Sequence, residues 1–169
     1  MLVLYIVALV CGLAIIGLDQ LTKYFIVSSF TLGDTADFIN GFIDIHYIHN
    51  RGAAWGMLSG YTWLLLLFTA AVMIVCVVLL VKTAHKKRLM LWAMTLVISG
   101  GIGNLIDRVF REGNVVDFLH FQFWPSFPVF NVADCAIVVG AGLLILYFVL
   151  ETVKEAKTKK EQTESNGDN

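Results

Sequence analysis

Charge is scarce in this 169-residue chain: Asp, Glu, Lys and Arg make up 15% of it, against 58% apolar residues. With a mean hydropathy of +0.78, it is too oily for an ordinary soluble domain, where roughly a quarter of residues are charged. Cysteine is sparse too. Cys11, Cys76 and Cys135 are odd in number and all sit within apolar runs, which excludes a disulfide framework. The chain also lacks an H-E-x-x-H zinc-protease motif and a P-loop. No serine stands in a nucleophile-elbow context: Ser99 belongs to a small-residue packing run, and Ser126 lies between prolines. Cys135 adjoins Asp134, but a helix turns it about 100° away. An apolar setting keeps a thiol protonated, so it reads as a packing residue.

What is present in quantity is long apolar sequence. Four runs, Leu2 to Leu18, Tyr61 to Val81, Leu89 to Ile106 and Val132 to Leu150, each approach the ~20 residues that cross a ~30 Å hydrocarbon core. The first lacks a basic leading segment and a convincing cleavage site, and Val10 spoils a lipidation box before Cys11. It is expected to be a retained helix. Basic residues set the orientation. Lys82, Lys86, Lys87 and Arg88 follow the second run, and Lys154, Lys157, Lys159 and Lys160 follow the fourth. Only Lys23, Arg51, Arg108 and Arg111 lie on the other side. Both termini are therefore expected in the cytoplasm, with the two long connections outside.

The fold expected is an all-α membrane protein: four transmembrane helices at about 2–27, 61–81, 89–108 and 132–150, a small extracytoplasmic β-sheet and a short interfacial helix. Residues 1–150 form one membrane-embedded domain, and the charged, aperiodic stretch 151–169 reads as a disordered cytoplasmic tail. The sheet draws on outward segments at about 36–49 and 115–123. Asn40-Gly41 suits a type I′ hairpin turn, and alternation places Ile43, Ile45 and Tyr47 on one face. Trp55 and Trp63 mark the outer boundary.

Polar residues cluster at that outer boundary. On the first helix Asp19, Thr22 and Lys23 share a face; they form either an ion pair at the interface or a hold on something polar. On the third, Ser99-Gly100-Gly101 and Gly103 make a small-residue face, with Asn104, Asp107 and Arg108 following at helical spacing. Asp107 and Arg108 read as paired scaffolding. Asp117 falls on an extended stretch between Val115 and Leu119 of the same face. It is either an exposed acid of an edge strand or a group with a task. Asn131 and Asp134 open the fourth helix as N-x-x-D, which a helix cap alone would explain.

The chemistry left open by these absences is that of paired carboxylates. Two close together share a proton, so the pair can activate a water and protonate a leaving amine, as peptide hydrolysis requires. His46 and His49 point to opposite faces of a strand, which disfavours a metal site.

Five ordered motifs then carry a resemblance: Asp19-Gln20-Leu21-Thr22-Lys23, Asn50-Arg51-Gly52-Ala53-Ala54-Trp55, Gly103-Asn104-Leu105-Ile106-Asp107-Arg108, Val115-Val116-Asp117-Phe118 and Phe127-Pro128-Val129-Phe130-Asn131-Val132-Ala133-Asp134. Together they resemble bacterial lipoprotein signal peptidase, signal peptidase II. The resemblance implies a membrane aspartic endopeptidase that cleaves prolipoproteins just before the diacylglyceryl-modified cysteine. Asp117 and Asp134 would be its catalytic dyad. Asn50, Gly52, Asn104, Asp107, Arg108, Asn131, Asp19 and Lys23 would bind substrate or support the dyad. It further implies a monomer with an active site near the outer face, no cofactor and no nucleic-acid partner. Other classes fit less well. An ion-path protein needs polar residues along the second and fourth helices. A metal-dependent head-group transferase needs a denser aspartate cluster. A GxGD protease needs an acid where Asn104 stands.

Overall fold

The computed structural model describes residues 2–53, 57–58, 60–83 and 87–167; Ala54, Trp55 and Lys86 lie outside the described residues. Its elements follow in the order α1 (Leu2–Ser29), β1 (Thr35–Ile39), β2 (Ile43–Asn50), α2 (Thr62–Thr83), α3 (Arg88–Phe110), β3 (Val115–Phe121) and α4 (Val132–Gly167). All four helices are long and apolar enough to cross a membrane.

α3 is the central helix, packed against α1, α2 and α4. In its most apolar window 56% of residues are buried, against 11–17% in the others. Glycines make this possible. Gly100 lies against the Ala133 carbonyl of α4, Gly101 against the Met73 side chain of α2, and Gly103 against the Asp19 carboxylate of α1; a Cβ at any of the three would collide. α4 reciprocates with Gly140, set on the Ala93 carbonyl of α3. Close backbone approach replaces the hydrophobic drive that lipid removes. It also lets α3 carry Asn104 and Asp107, because those side chains meet protein rather than acyl chains.

The sheet is antiparallel in the order β1-β2-β3. Its hairpin differs from the type I′ expectation. Gly41 has φ +75°, but Asn40 stays on the negative side, and the pairing shifts register between Asp37 and Ile39. The left-handed residue is the glycine alone, which carries no Cβ penalty. β3 joins the far edge of β2, with Asp117 opposite Ile48 and Val115 opposite Asn50. Its side chains alternate. Val116 and Phe118 pack with Ile26 and Tyr47 in a core between sheet and α1, while Val115, Asp117 and Phe121 face a cavity. Beyond β3 the chain doubles back. Phe130 accepts from the amides of Phe118 and Leu119 and donates to the Leu119 carbonyl, which carries Asn131 to Asp117.

Two expectations about secondary structure are corrected. The short interfacial helix does not occur among the described residues: Leu58 and Gly60, ahead of α2, take positive φ values of 60° and 93°, which breaks helical geometry. And α4 does not stop near 150 but continues to Gly167 through the stretch expected to be disordered. Glu, Lys, Ala and Gln are strong helix formers, and Glu155 precedes Lys159 by four residues, so local propensity sustains a solvent-exposed helix there.

Candidate active site

Asp117 of β3 and Asp134 of α4 line the same cavity, of about 430 Å³. Each of their four oxygens accepts one hydrogen bond. Asp117 Oδ1 accepts from the Asn131 side-chain amide at 2.6 Å and Oδ2 from that of Asn50 at 2.9 Å. Asp134 Oδ1 accepts from the Asn104 amide at 2.7 Å and Oδ2 from the backbone N–H of Asn131 at 3.2 Å. Asn131 Oδ1 in turn accepts from the Asp134 N–H at 2.9 Å. The capping reading of Asn131 and Asp134 therefore holds, and it is compatible with a cavity-facing carboxylate: the cap uses one oxygen of Asp134 and leaves the other to Asn104.

Three asparagines thus point their NH₂ groups at the two carboxylates, and each is oriented by what holds its oxygen. Asn50 Oδ1 accepts from the Gly52 N–H at 2.8 Å. Asn131 Oδ1 is taken by the helix cap. Asn104 Oδ1 accepts from the Lys23 ammonium at 3.1 Å and from Asn131 at 3.0 Å. An amide whose oxygen is committed to a donor has only its NH₂ left to offer.

Lys23 is wholly buried, and its ammonium has three partners: Asn104, Asp19 Oδ2 at 2.9 Å and Asp107 Oδ2 at 3.0 Å. The Asp19 to Lys23 pair expected on α1 is present, but it is buried against α3 rather than set at the interface. Asp19 Oδ1 accepts from the Ala133 N–H at 2.9 Å, tying α1 to the start of α4. Asp107 accepts from the Val116 N–H at 3.0 Å and from Arg111 Nε at 3.3 Å. It does not pair with Arg108, contrary to the scaffolding expectation. The next residue on a helix is turned by about 100°, so Arg108 instead lines the cavity and donates to the Gly52 carbonyl at 3.1 Å. Among the described residues, Thr22, the third residue on that face of α1, bonds only backbone carbonyls of its own helix.

Every residue expected at the site converges here, in two tiers. Asn50, Gly52, Asn104, Arg108, Asp117 and Asp134 line the cavity. Asn131 bridges the two aspartates from a fully buried position, and Asp19, Lys23 and Asp107 form an ionic layer behind them. Burial, reinforced by the nearby charge of Asp134, pushes the Asp117 carboxyl up to about 7 against the pull of its two amide donors. The rest of the cavity wall is apolar, with Phe121, Phe127, Phe130, Ile137 and Val138 among its residues.

Some contributors were not singled out from the sequence. Gln20 donates to Asp19 at 3.1 Å and to Asp107 at 3.3 Å, closing the ionic layer; its place inside the first motif was the available signal. Arg111 was legible as an i+4 partner of Asp107. Cys135 is exposed and lines the cavity, so it is not the buried packing residue expected. The two histidines of β2 do diverge: His46 meets the ring of His120, whereas His49 bonds the Tyr47 hydroxyl at 2.8 Å.

Residues 11–150 match the family model described as signal peptidase (SPase) II. The lipoprotein signal peptidase of Bacillus pumilus is 43% identical over 160 residues, covering 94% of this chain and 97% of that protein. That of Enterococcus faecalis is 39% identical, covering 95% and 98%. Among solved structures, a bacterial membrane enzyme determined by the in meso method at 2.3 Å superposes with a TM-score of 0.80 at 33% identity, over 86% of this chain and 89% of that one.

Proposed function

The chain belongs to the signal peptidase II family and is a multi-pass membrane peptidase that removes signal peptides from prolipoproteins; from that premise we propose that Asp117 and Asp134 are its catalytic dyad. The observation that carries this reading is the shared cavity in which all four carboxylate oxygens are held by amide donors. At neutral pH the pair keeps one proton, because two buried carboxylates facing one space cannot both ionise cheaply. The ionised member takes a proton from a water as that water attacks the scissile carbonyl. The protonated member donates to the carbonyl oxygen and then, through the tetrahedral intermediate, a proton reaches the leaving amine as the C–N bond breaks. Arg108 offsets the remaining negative charge and Asn50 fixes the orientation of Asp117.

The cut falls before the diacylglyceryl-modified cysteine. The cavity wall supports this: it places aromatic and aliphatic side chains of the 121–130 segment and of α4 directly beside the carboxylates, where acyl chains can lie while the peptide reaches the dyad. Asp19, Lys23 and Asp107 support the dyad without touching substrate. The distribution of lysine and arginine puts both termini in the cytoplasm and the dyad near the outer face. One chain supplies all the named residues, so the working unit is a monomer made of residues 1–150, with lipid and prolipoprotein as its partners.

The test offers purified protein a proprotein with and without diacylglyceryl on its cysteine. Wild type is expected to cut only the lipidated form, while Asp117→Asn and Asp134→Asn stay folded and inactive. Full activity in either variant excludes the dyad, and loss of activity with a chelator excludes a metal-free mechanism.

A further inference from the structure

A second polar cluster stands beside the cavity and outside its lining. Asn114, in the turn after α3, accepts from Arg51 Nε at 3.1 Å and donates its side-chain amide to the Arg111 carbonyl at 2.9 Å. Arg111 Nε is itself fixed on Asp107 at 3.3 Å. Both arginines are therefore anchored by their ε nitrogens, and among the described residues no hydrogen-bond or ion-pair partner is found for their terminal guanidinium nitrogens. His49, held by Tyr47, has its pKa lowered, first by partial burial and then by the nearby charges of Arg111 and Arg51. Two acids come near. Asp107 is buried and already shared with Lys23, and Glu112 follows Arg111 with a positive φ of 53° in the exposed turn.

The depth of this cluster is set by its neighbours. Val109 and Phe110, the residues just before Arg111 on α3, are 59% and 80% exposed. On a helix that crosses the membrane, such side chains face acyl chains, so Arg111 lies one step out, at head-group level. Arginine's planar fork matches phosphate oxygens in a bidentate way, and phosphate is the anion that head groups supply at that depth.

We propose that the terminal guanidinium nitrogens of Arg51 and Arg111, the first held by Asn114 and the second on the residue whose main-chain carbonyl Asn114 also bonds, bind the phosphate of an anionic phospholipid beside the cavity. The inference needs α3 to span the bilayer but does not depend on which groups cleave peptide. Its consequence is local: a lipid held there pins the Asn50 to Gly52 segment, which supplies a donor to Asp117 and an acceptor to Arg108.

The experiment titrates short-chain phosphatidylglycerol, phosphatidylcholine or inorganic phosphate into the detergent-solubilised full-length protein and reads the rise in Tm, which reports ligand bound to the folded state. The wild type is expected to bind phosphatidylglycerol in preference to both other ligands. Arg51→Gln should weaken that binding about fivefold, the equivalent of the ~1 kcal/mol that one basic residue contributes at head-group level. Arg51→Lys should recover part of it, and Lys154→Gln on the distant helical extension should change nothing. Equal response to phosphatidylcholine overturns the proposal, as does an equal loss in Lys154→Gln. Inorganic phosphate as effective as the lipid overturns the lipid as its source. A change in KM for lipidated substrate that is the same in zwitterionic and anionic bilayers assigns Arg51 to substrate instead. Because the titrations read binding rather than cleavage, they tell an inactive dyad and an empty phosphate site apart.

Discussion

The buried ammonium of Lys23 donates to Oδ1 of Asn104 at 3.1 Å, and so leaves only the NH₂ end of that amide to face Asp134. A residue of the first helix thereby orients a hydrogen bond to the fourth through the third.

Lys23→Met removes the one cation shared by Asp19 and Asp107, both fully buried. Leaving a buried charge unpaired costs roughly 3–5 kcal/mol. We expect a large fall in Tm in detergent, partly recovered when Asp107→Asn is added. A drop equivalent to less than about 1 kcal/mol would falsify the ionic layer as a structural element.

Asn104→Ala should spare the fold more than Lys23→Met does, yet slow cleavage. It removes one hydrogen bond to a carboxylate, worth about 1.5–3 kcal/mol, so kcat should fall roughly tenfold to a hundredfold with KM for lipidated substrate little changed. A change confined to KM would place Asn104 on the substrate instead.

The raised Asp117 carboxyl gives a pH dependence in two readouts. Between about pH 4, where the unfolded acid titrates, and about 7, the folded state holds more protons than the unfolded one. Stability therefore falls as pH rises through that window and levels off above it. Asp117→Asn, which cannot titrate, should reduce this slope. Activity needs the shared proton, so kcat/KM should decline above about pH 7. A profile flat to pH 9 would contradict a proton held on the pair.

Gly103→Ala and Gly17→Ala form a matched pair on packed helices. A Cβ at Gly103 would lie 2.6 Å from Asp19 Oδ2, whereas one at Gly17 meets nothing within 4 Å. The first is expected to cost about 1–3 kcal/mol through overpacking and to impair cleavage by displacing Asp19. The second should be neutral or gain up to about 1 kcal/mol of helix propensity. Similar Tm values for the two variants would argue against close α1 to α3 contact at Gly103.

The chain's own sequence determined the membrane class, the four spans, the sheet segments and which polar residues gather around the cavity. Those follow from run length, period and motif, all of which are local or ordered along the chain. Helix α4's extension was misjudged because a charged helix without a packed face has no apolar period to reveal it. The partners were beyond reach for a different reason. Asp107 could pair with Arg108 or Arg111 on its own helix, yet Gly100 and Gly103 bring α1 and α4 close enough to α3 that Lys23 takes the shared position instead. Likewise N-x-x-D was readable as a cap, but only the return of the chain along β3, through the Leu119 to Phe130 bridge, brings Asn131 onto Asp117. Contacts between residues far apart in sequence depend on backbone separation and side-chain direction, and packing decided both.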